Sequence, residues 1–316
     1  MNTIKLVSKF ALVTLMPLLI TLKFCCPKDN NYLSHLNTLD HQTFFNYSLP
    51  LTVEINHDII VANYFQFMDS VVKKYNAMTP YKLTEHLLVR GNTWILDTLQ
   101  NTDYYRMKTR DSFIYNQRKL IVLPKGSFLK IPDSITAVKL INSFKNTRID
   151  VNIPEFKLRI YEDSILLYEF PVRVGRNEKK HLEMSGRLQD LKTKTGEGIV
   201  FKHVRNPRYV NPVNNHEYFV TDRDDKSVTK LPQIPFIETE INGVRNGQLI
   251  HPTTNPVTLG KAYSNGCIGT KEADAWVIYY YAPILTNIKI RYDLKVLNKE
   301  GNTIILKDVY GYNKKR

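Results

Sequence analysis

The chain has 316 residues, 43% hydrophobic and 23% charged, a balance that excludes a disordered or fibrous protein and leaves room for about two domains. Its formal net charge is +14, from 44 Lys and Arg against 30 Asp and Glu. No helix-turn-helix, zinc-finger spacing or aromatic RNA-binding signature accompanies that charge, so nucleic acid is not the expected partner; a solvated basic surface or an anionic cell envelope accounts for it.

Lys5 and Lys9 precede the apolar run Phe10 to Leu22, which has the length of a signal peptide and is short for a membrane span. Residues 1–27 are therefore expected to be a signal peptide or membrane anchor. The lysines on its near side place the body outside the cytoplasm, exported to the periplasm or cell envelope. Cleavage, retention and lipidation at Cys25 all remain open, although Phe24 is bulky for a lipidation site. The Asn-rich stretch 28–56 is expected to be a spacer.

Residues 57–140 are expected to form a smaller helical or α+β accessory domain. Ile60, Tyr64, Phe67, Met68, Val71, Val72 and Tyr75 keep helical spacing, with Asn56 to Asp58 as cap candidates. Thr79-Pro80 signals a second helix start, and Arg90 to Trp94 breaks the pattern ahead of a third helix running to about Tyr105. Leu120 to Leu123 and Phe128 to Ile131, around Pro124-Lys125-Gly126-Ser127, have the character of a strand–turn–strand hairpin. Residues 80–132 resemble a LysM glycan-binding module through His86 to Trp94 and Gly126 to Pro132, which implies contact with glycan strands.

From residue 150 the texture becomes alternating and β-rich, as in Leu158 to Tyr161, Ile165 to Tyr168 and Ile199 to Phe201, with Gly and Pro between runs. The 203–240 stretch, rich in Asn and Pro, is long for a connection and is expected to be a lid or groove loop. Arg291 to Leu297 and Thr303 to Val309, turned at Glu300-Gly301-Asn302, read as a closing strand and an extra hairpin. Residues 298–316 are thus expected to be a C-terminal hairpin and basic tail.

Chemistry concentrates in Leu249-Ile250-His251-Pro252 and in Tyr263-Ser264-Asn265-Gly266-Cys267-Ile268-Gly269. Cys267 is the only cysteine outside the N-terminal pair Cys25 and Cys26, too isolated for a disulfide framework or metal site. Gly266 allows a sharp turn and a close backbone approach to substrate. Thr270 can cap a helix running through Ala273, Trp276, Val277, Tyr280 and Tyr281, with one apolar face. Cys267 is then expected just before a helix N-terminus, where the macrodipole favours a thiolate, and His251 can serve as its base. Neither a zinc motif nor a phosphate loop is present, and Asp222-Arg223-Asp224-Asp225 lacks the glycine and glutamate of a calcium loop, so it reads as a solvated turn.

The order of His251 and the Gly260 to Ile268 segment resembles the catalytic signature of the YkuD family of L,D-transpeptidases, which cross-link bacterial peptidoglycan. Phe156 to Ser164 with Phe170 to Gly175, and Lys194-Thr195-Gly196-Glu197-Gly198, resemble further segments of that family. The resemblance covers about residues 150–294 and implies a catalytic domain over 150–297, a YkuD-like β-sandwich with a short helix after the cysteine. It implies Cys267 as nucleophile, His251 as base oriented by the Pro252 carbonyl, and Ser264, Asn265 and Gly266 as oxyanion or orienting residues. It further implies peptidoglycan stem peptides as substrates, carbapenem-type inhibitors as ligands, and neither metal nor cofactor. Asn265 stands where the family usually has histidine, and Gly269 where it commonly has arginine. An L,D-carboxypeptidase with the same site and a catalytically weak wall-binding protein are the competing readings.

Overall fold

The computed structural model describes residues 51–313, all within one compact unit. The apolar run Phe10 to Leu22 and Cys25 lie outside the described residues, among which no helix is long and apolar enough to cross a membrane.

In chain order the first part comprises β1 (Thr52–Glu54), β2 (Ile59–Ile60), α1 (Val61–Tyr75), α2 (Glu85–Gly91), α3 (Thr93–Gln100), α4 (Tyr104–Lys108), β3 (Ile121–Leu123), β4 (Phe128–Lys130) and α5 (Ser134–Asn146). The end of the expected spacer is thus an ordered strand. β3 and β4 do not form a hairpin; β3 pairs with β2, and β4 with β1.

The helix boundaries follow long-range partners. Asp58, an expected cap, instead accepts the Lys125 amide at 2.7 Å, and α1 begins at Val61 with no side-chain cap. The second helix starts at Glu85 rather than at Pro80, capped by Thr84, because Asn76 Oδ1 takes the Leu83 amide and wraps the intervening residues. Between α2 and α3, the buried Asn92 bonds both backbone groups of Lys130 on β4, at 2.7 and 2.9 Å. The expected third helix is two helices, because Asp103 caps α4 by accepting from the Tyr105 and Arg106 amides.

The second part comprises β5 (Thr147–Asn152), β6 (Lys157–Glu162), β7 (Ile165–Pro171), β8 (Val174–Gly175), β9 (Lys179–Leu182), β10 (Arg187–Asp190), β11 (Gly196–Val204), β12 (Tyr209–Val210), β13 (Glu217–Tyr218), β14 (Val220–Asp222) and β15 (Val228–Lys230). It continues with β16 (Phe236–Ile241), β17 (Leu249–Pro252), β18 (Ala262–Ser264), β19 (Ile268–Thr270), α6 (Glu272–Tyr281), β20 (Asn287–Arg291), β21 (Lys295–Leu297) and β22 (Thr303–Ile305).

Eight strands form one mixed sheet in the order β19-β17-β16-β11-β20-β5-β6-β7. Its alternating residues Ile149, Val151, Leu158, Ile160, Val200, Ile237, Ile250, Ile268, Ile288 and Ile290 are buried, each worth about 1.5–3 kcal/mol of apolar burial. The expected connection is organised as two short ribbons, β12–β13 and β14–β15, and β21–β22 is the expected late hairpin.

Helix α6 follows β19 and packs against β16 and β17 on one side and α2 and α3 on the other. It is therefore buried from Glu272 to Tyr280 instead of showing a single apolar face. Tyr64 of α1 meets Tyr280 of α6 hydroxyl to hydroxyl at 2.7 Å, joining the N-terminal helices to the β-rich body in one core.

Candidate active site

Strands β17 and β19 run parallel, with Ile250 opposite Ile268 and His251 opposite Gly269. One step back in that register Cys267 falls opposite Leu249, whose backbone hydrogen bonds the thiol. Neighbouring strands lie about 4.8 Å apart and rise about 3.3 Å per residue, so His251 and Cys267 are diagonal neighbours on one face. Both are part-buried.

His251 Nδ1 lies 2.9 Å from the Pro252 carbonyl. A carbonyl can only accept, so Nδ1 carries the proton and Nε2 keeps its lone pair. Phe236 packs beside the ring, with centroids 5.0 Å apart. Burial, reinforced by the charge of Arg173, lowers the imidazole to about 4, against the upward pull of the Pro252 carbonyl. Burial raises the Cys267 thiol, opposed by the Leu249 hydrogen bond and by Arg173. At neutral pH the resting pair is therefore thiol and neutral imidazole.

The expected placement of Cys267 at a helix N-terminus does not hold. Strand β19 intervenes, Thr270 ends that strand, and α6 starts at Glu272 without a side-chain cap from its own flank. Its Ala273 amide is met from a distance, by Asp103 Oδ2 at 2.9 Å. The macrodipole reaches only about one turn, so the thiol depends on local amides and Arg173 instead.

The turn before Cys267 is tightly wired. Ser264 Oγ donates to the Cys267 carbonyl at 2.5 Å and accepts the Gly266 amide at 3.2 Å. Gly266 sits at φ +114°, where a side chain would be strained. Its carbonyl accepts Thr193 Oγ1 at 2.9 Å, and Thr193 Oγ1 in turn accepts the Gly175 amide at 2.8 Å. Beneath them the buried Tyr310 hydroxyl accepts the Thr193 amide at 3.0 Å and donates to the Gly175 carbonyl at 2.8 Å. Asn265 Oδ1 accepts from Arg176 at 3.2 Å, which leaves its NH₂ group pointing away from that contact.

The sequence pattern did not pick out Thr193, Tyr310, Arg173 or Arg176. Thr193 adjoins the Lys194-Thr195-Gly196 segment, and the arginines flank the Gly175 turn, so proximity to those segments was the available signal.

The turn Asp222 to Asp225 is not simply solvated. Arg223 is buried and pairs with the equally buried Glu272 at 2.5 Å. Glu272 also accepts from Gln117 and from the Tyr104 amide, at 2.6 and 3.0 Å. Asp224 Oδ2 accepts the Val257 amide at 2.8 Å and Thr221 meets Thr254 at 2.9 Å, fastening the β14–β15 ribbon over the loop that follows His251. Among the described residues, no group of three or more His, Cys, Asp or Glu is placed to hold a metal ion.

Residues 146–290 match the family model of the L,D-transpeptidase catalytic domain, YkuD. That stretch is a little under half of the chain, and over it the sequence is similar to the catalytic domain of this family. It is similar to an L,D-transpeptidase from Mycobacterium smegmatis, at 13% identity and TM-score 0.32, over 46% of this chain and 58% of that one. It is similar to L,D-transpeptidase 3 from Mycobacterium tuberculosis, solved with a faropenem-derived adduct, at 16% identity and TM-score 0.30, over 46% and 60%. A similarity to the L,D-transpeptidase of Xylanimonas cellulosilytica has 12% identity and TM-score 0.34, over 78% of this chain and 100% of that one. The match thus spans less than two thirds of either mycobacterial chain. No curated protein sequence matches.

Proposed function

We propose that the chain is an L,D-transpeptidase of peptidoglycan working by acyl transfer through a Cys267 thioester. The observation that carries this reading is the oriented pair itself. A part-buried thiol lies diagonal to a neutral imidazole whose free Nε2 is set by the Pro252 carbonyl.

In the first step His251 Nε2 takes the thiol proton as sulfur attacks the carbonyl carbon at the third residue of a donor stem peptide. The Cys267 amide, which donates to no described residue, is the free donor for the oxyanion; the Gly266 amide already serves Ser264. Losing an oxyanion donor costs about 3 kcal/mol. The imidazolium proton then passes to the nitrogen of the terminal D-amino acid as the C–N bond breaks. In the second step a side-chain amine of an acceptor stem attacks the thioester, His251 takes its proton, and the sulfur leaves and is reprotonated. With water as acceptor the same steps give an L,D-carboxypeptidase. Such substrates lie outside the cytoplasmic membrane, in keeping with the export-like N-terminal sequence.

The test is purified protein incubated with stem tetrapeptides, with D-alanine and cross-linked muropeptides read by mass. Release and cross-linking that vanish in Cys267→Ala support the proposal. Release without cross-links moves the assignment to the hydrolase, and no release from a folded wild-type protein overturns the reading. Incubation with a carbapenem should add one adduct to wild type and none to Cys267→Ala; an adduct persisting in that variant would move the nucleophile elsewhere.

A further inference from the structure

Arg173 enters the site from outside both motifs. Its amide donates to the Gly269 carbonyl at 2.9 Å, and the Gly269 amide returns a bond to the Arg173 carbonyl at 3.0 Å. Arg173 and His251 are thus the two register partners of Gly269, one on each side. Residues in register project to the same face, which is also the face of Cys267.

Gly269 makes room for the guanidinium. A Cβ there would lie 2.5 Å from Arg173 Nε and 2.7 Å from its Cγ, so the arginine stem occupies the space that any other residue at 269 would fill. The charge is poorly satisfied within the protein. Arg173 Nε is buried with no hydrogen-bond partner, and Nη1 has only Thr258 Oγ1 at 3.3 Å. No carboxylate forms a salt bridge with it among the described residues. A desolvated guanidinium without an anion is costly, and an anion that appears during the reaction would relieve that cost.

We propose that Arg173 is a positioning residue of the acyl transfer, whose guanidinium, laid across Gly269, holds the negative charge that forms on Cys267 when the thiol gives up its proton. The proposal deepens the transpeptidase reading, on which it rests for its reaction. The electrostatics agree, since Cys267 is the strongest of the charge interactions felt by Arg173. The other charged or titratable groups around the guanidinium are Tyr263, Arg176 and Asp224, with His251 across Gly269. Arg173 also opposes a lasting charge on His251, which favours return of the proton to the leaving amine.

The test needs no peptidoglycan. Iodoacetamide alkylation of the full chain is followed from pH 6 to 11.5 on the Cys267-containing peptide by mass, in wild type, Arg173→Lys, Arg173→Gln and Gly269→Ala. Arg173→Gln should move the midpoint up by about one pH unit, a tenfold loss of thiolate at a fixed pH below it. Arg173→Lys should recover most of that shift. Gly269→Ala, which crowds the stem, should also raise the midpoint with Arg173 intact. Wild-type midpoints in folded Arg173→Gln would overturn the proposal; should that variant not fold, a wild-type midpoint in Gly269→Ala would do so. A shifted midpoint alongside absent stem-peptide turnover in wild type would keep the charge contact between Arg173 and Cys267 and remove the transpeptidase reading, and with it the acyl transfer this contact is proposed to serve.

Discussion

Thr193 Oγ1 donates to the Gly266 carbonyl at 2.9 Å, so the glycine before the candidate nucleophile is held from below by a residue the motif does not contain. Since that hydroxyl also accepts the Gly175 amide, it couples the turn to the end of β8. Thr193→Val keeps the volume and removes both bonds, each worth about 1 kcal/mol net. Carbapenem acylation, followed by intact mass, should slow by about tenfold while the melting temperature falls by only a few degrees. An unchanged acylation rate would mean the Ser264 bonds alone hold the turn.

His251→Ala should slow acylation by about 10²-fold or more, the usual scale for a positioned base. Because the imidazole is held at about 4, its basic form is present throughout the neutral range. The acylation rate of wild type should therefore show no loss attributable to His251 protonation until the pH approaches that value. A rate that halves near pH 6.5, and does so only while His251 is present, would contradict the burial of this ring.

The Arg223–Glu272 pair is buried on both sides, so removing one partner strands a charge. Arg223→Met should cost about 3–5 kcal/mol in urea unfolding, while Arg223→Met combined with Glu272→Gln should recover part of the loss. Equal destabilisation by the single and double variants would show that Gln117 and Tyr104, not the charge, set the role of Glu272.

His203 stacks on His86 with ring centroids 5.3 Å apart and bonds the Ala282 carbonyl at 3.0 Å. Burial is the main cause that takes His203 down to about 4, and burial likewise lowers His86. A depressed histidine binds fewer protons folded than unfolded, so stability falls as pH drops from 6.5 towards 4. His203 can contribute a loss on the order of 3 kcal/mol over that window. Glu85, raised to about 7 chiefly by burial and paired with Arg205 at 2.6 Å, contributes in the opposite sense over an overlapping range. The comparison is therefore between wild type and His203→Phe, each unfolded in urea at pH 7 and pH 4.5. Wild type should lose more stability on acidification than the variant. Equal losses would place the proton uptake elsewhere.

Much of the local geometry of the candidate site was legible because its signals are local. A glycine ahead of a cysteine announces an unusual dihedral, and Gly266 has one at φ +114°. His251 beside Pro252 announces a carbonyl within reach of the ring, which the 2.9 Å contact provides. What stayed hidden depends on register and distant partners. Arg173 acquires its place only when β17, β19 and the short link between β7 and β8 are laid side by side. Thr270 looked like a helix cap because strand residues between Cys267 and the helix are too few to leave a periodic trace. Asp103 caps two helices at once, its own α4 and the distant α6, a task no spacing along the chain announces. The acidic run at Asp222 to Asp225 suggested solvent for the same reason, since the buried partner of Arg223 lies far along the chain.

The phenol of Tyr310 is the floor on which the turn before Cys267 rests, reached through Thr193 and Gly175. A nascent chain emerges with histidine and cysteine well before that floor exists. The turn before Cys267 should therefore reach its final geometry only after the segment beyond β22 has been made and has docked. An incompletely synthesised chain would then carry the candidate nucleophile without the hydrogen-bonded support beneath its turn.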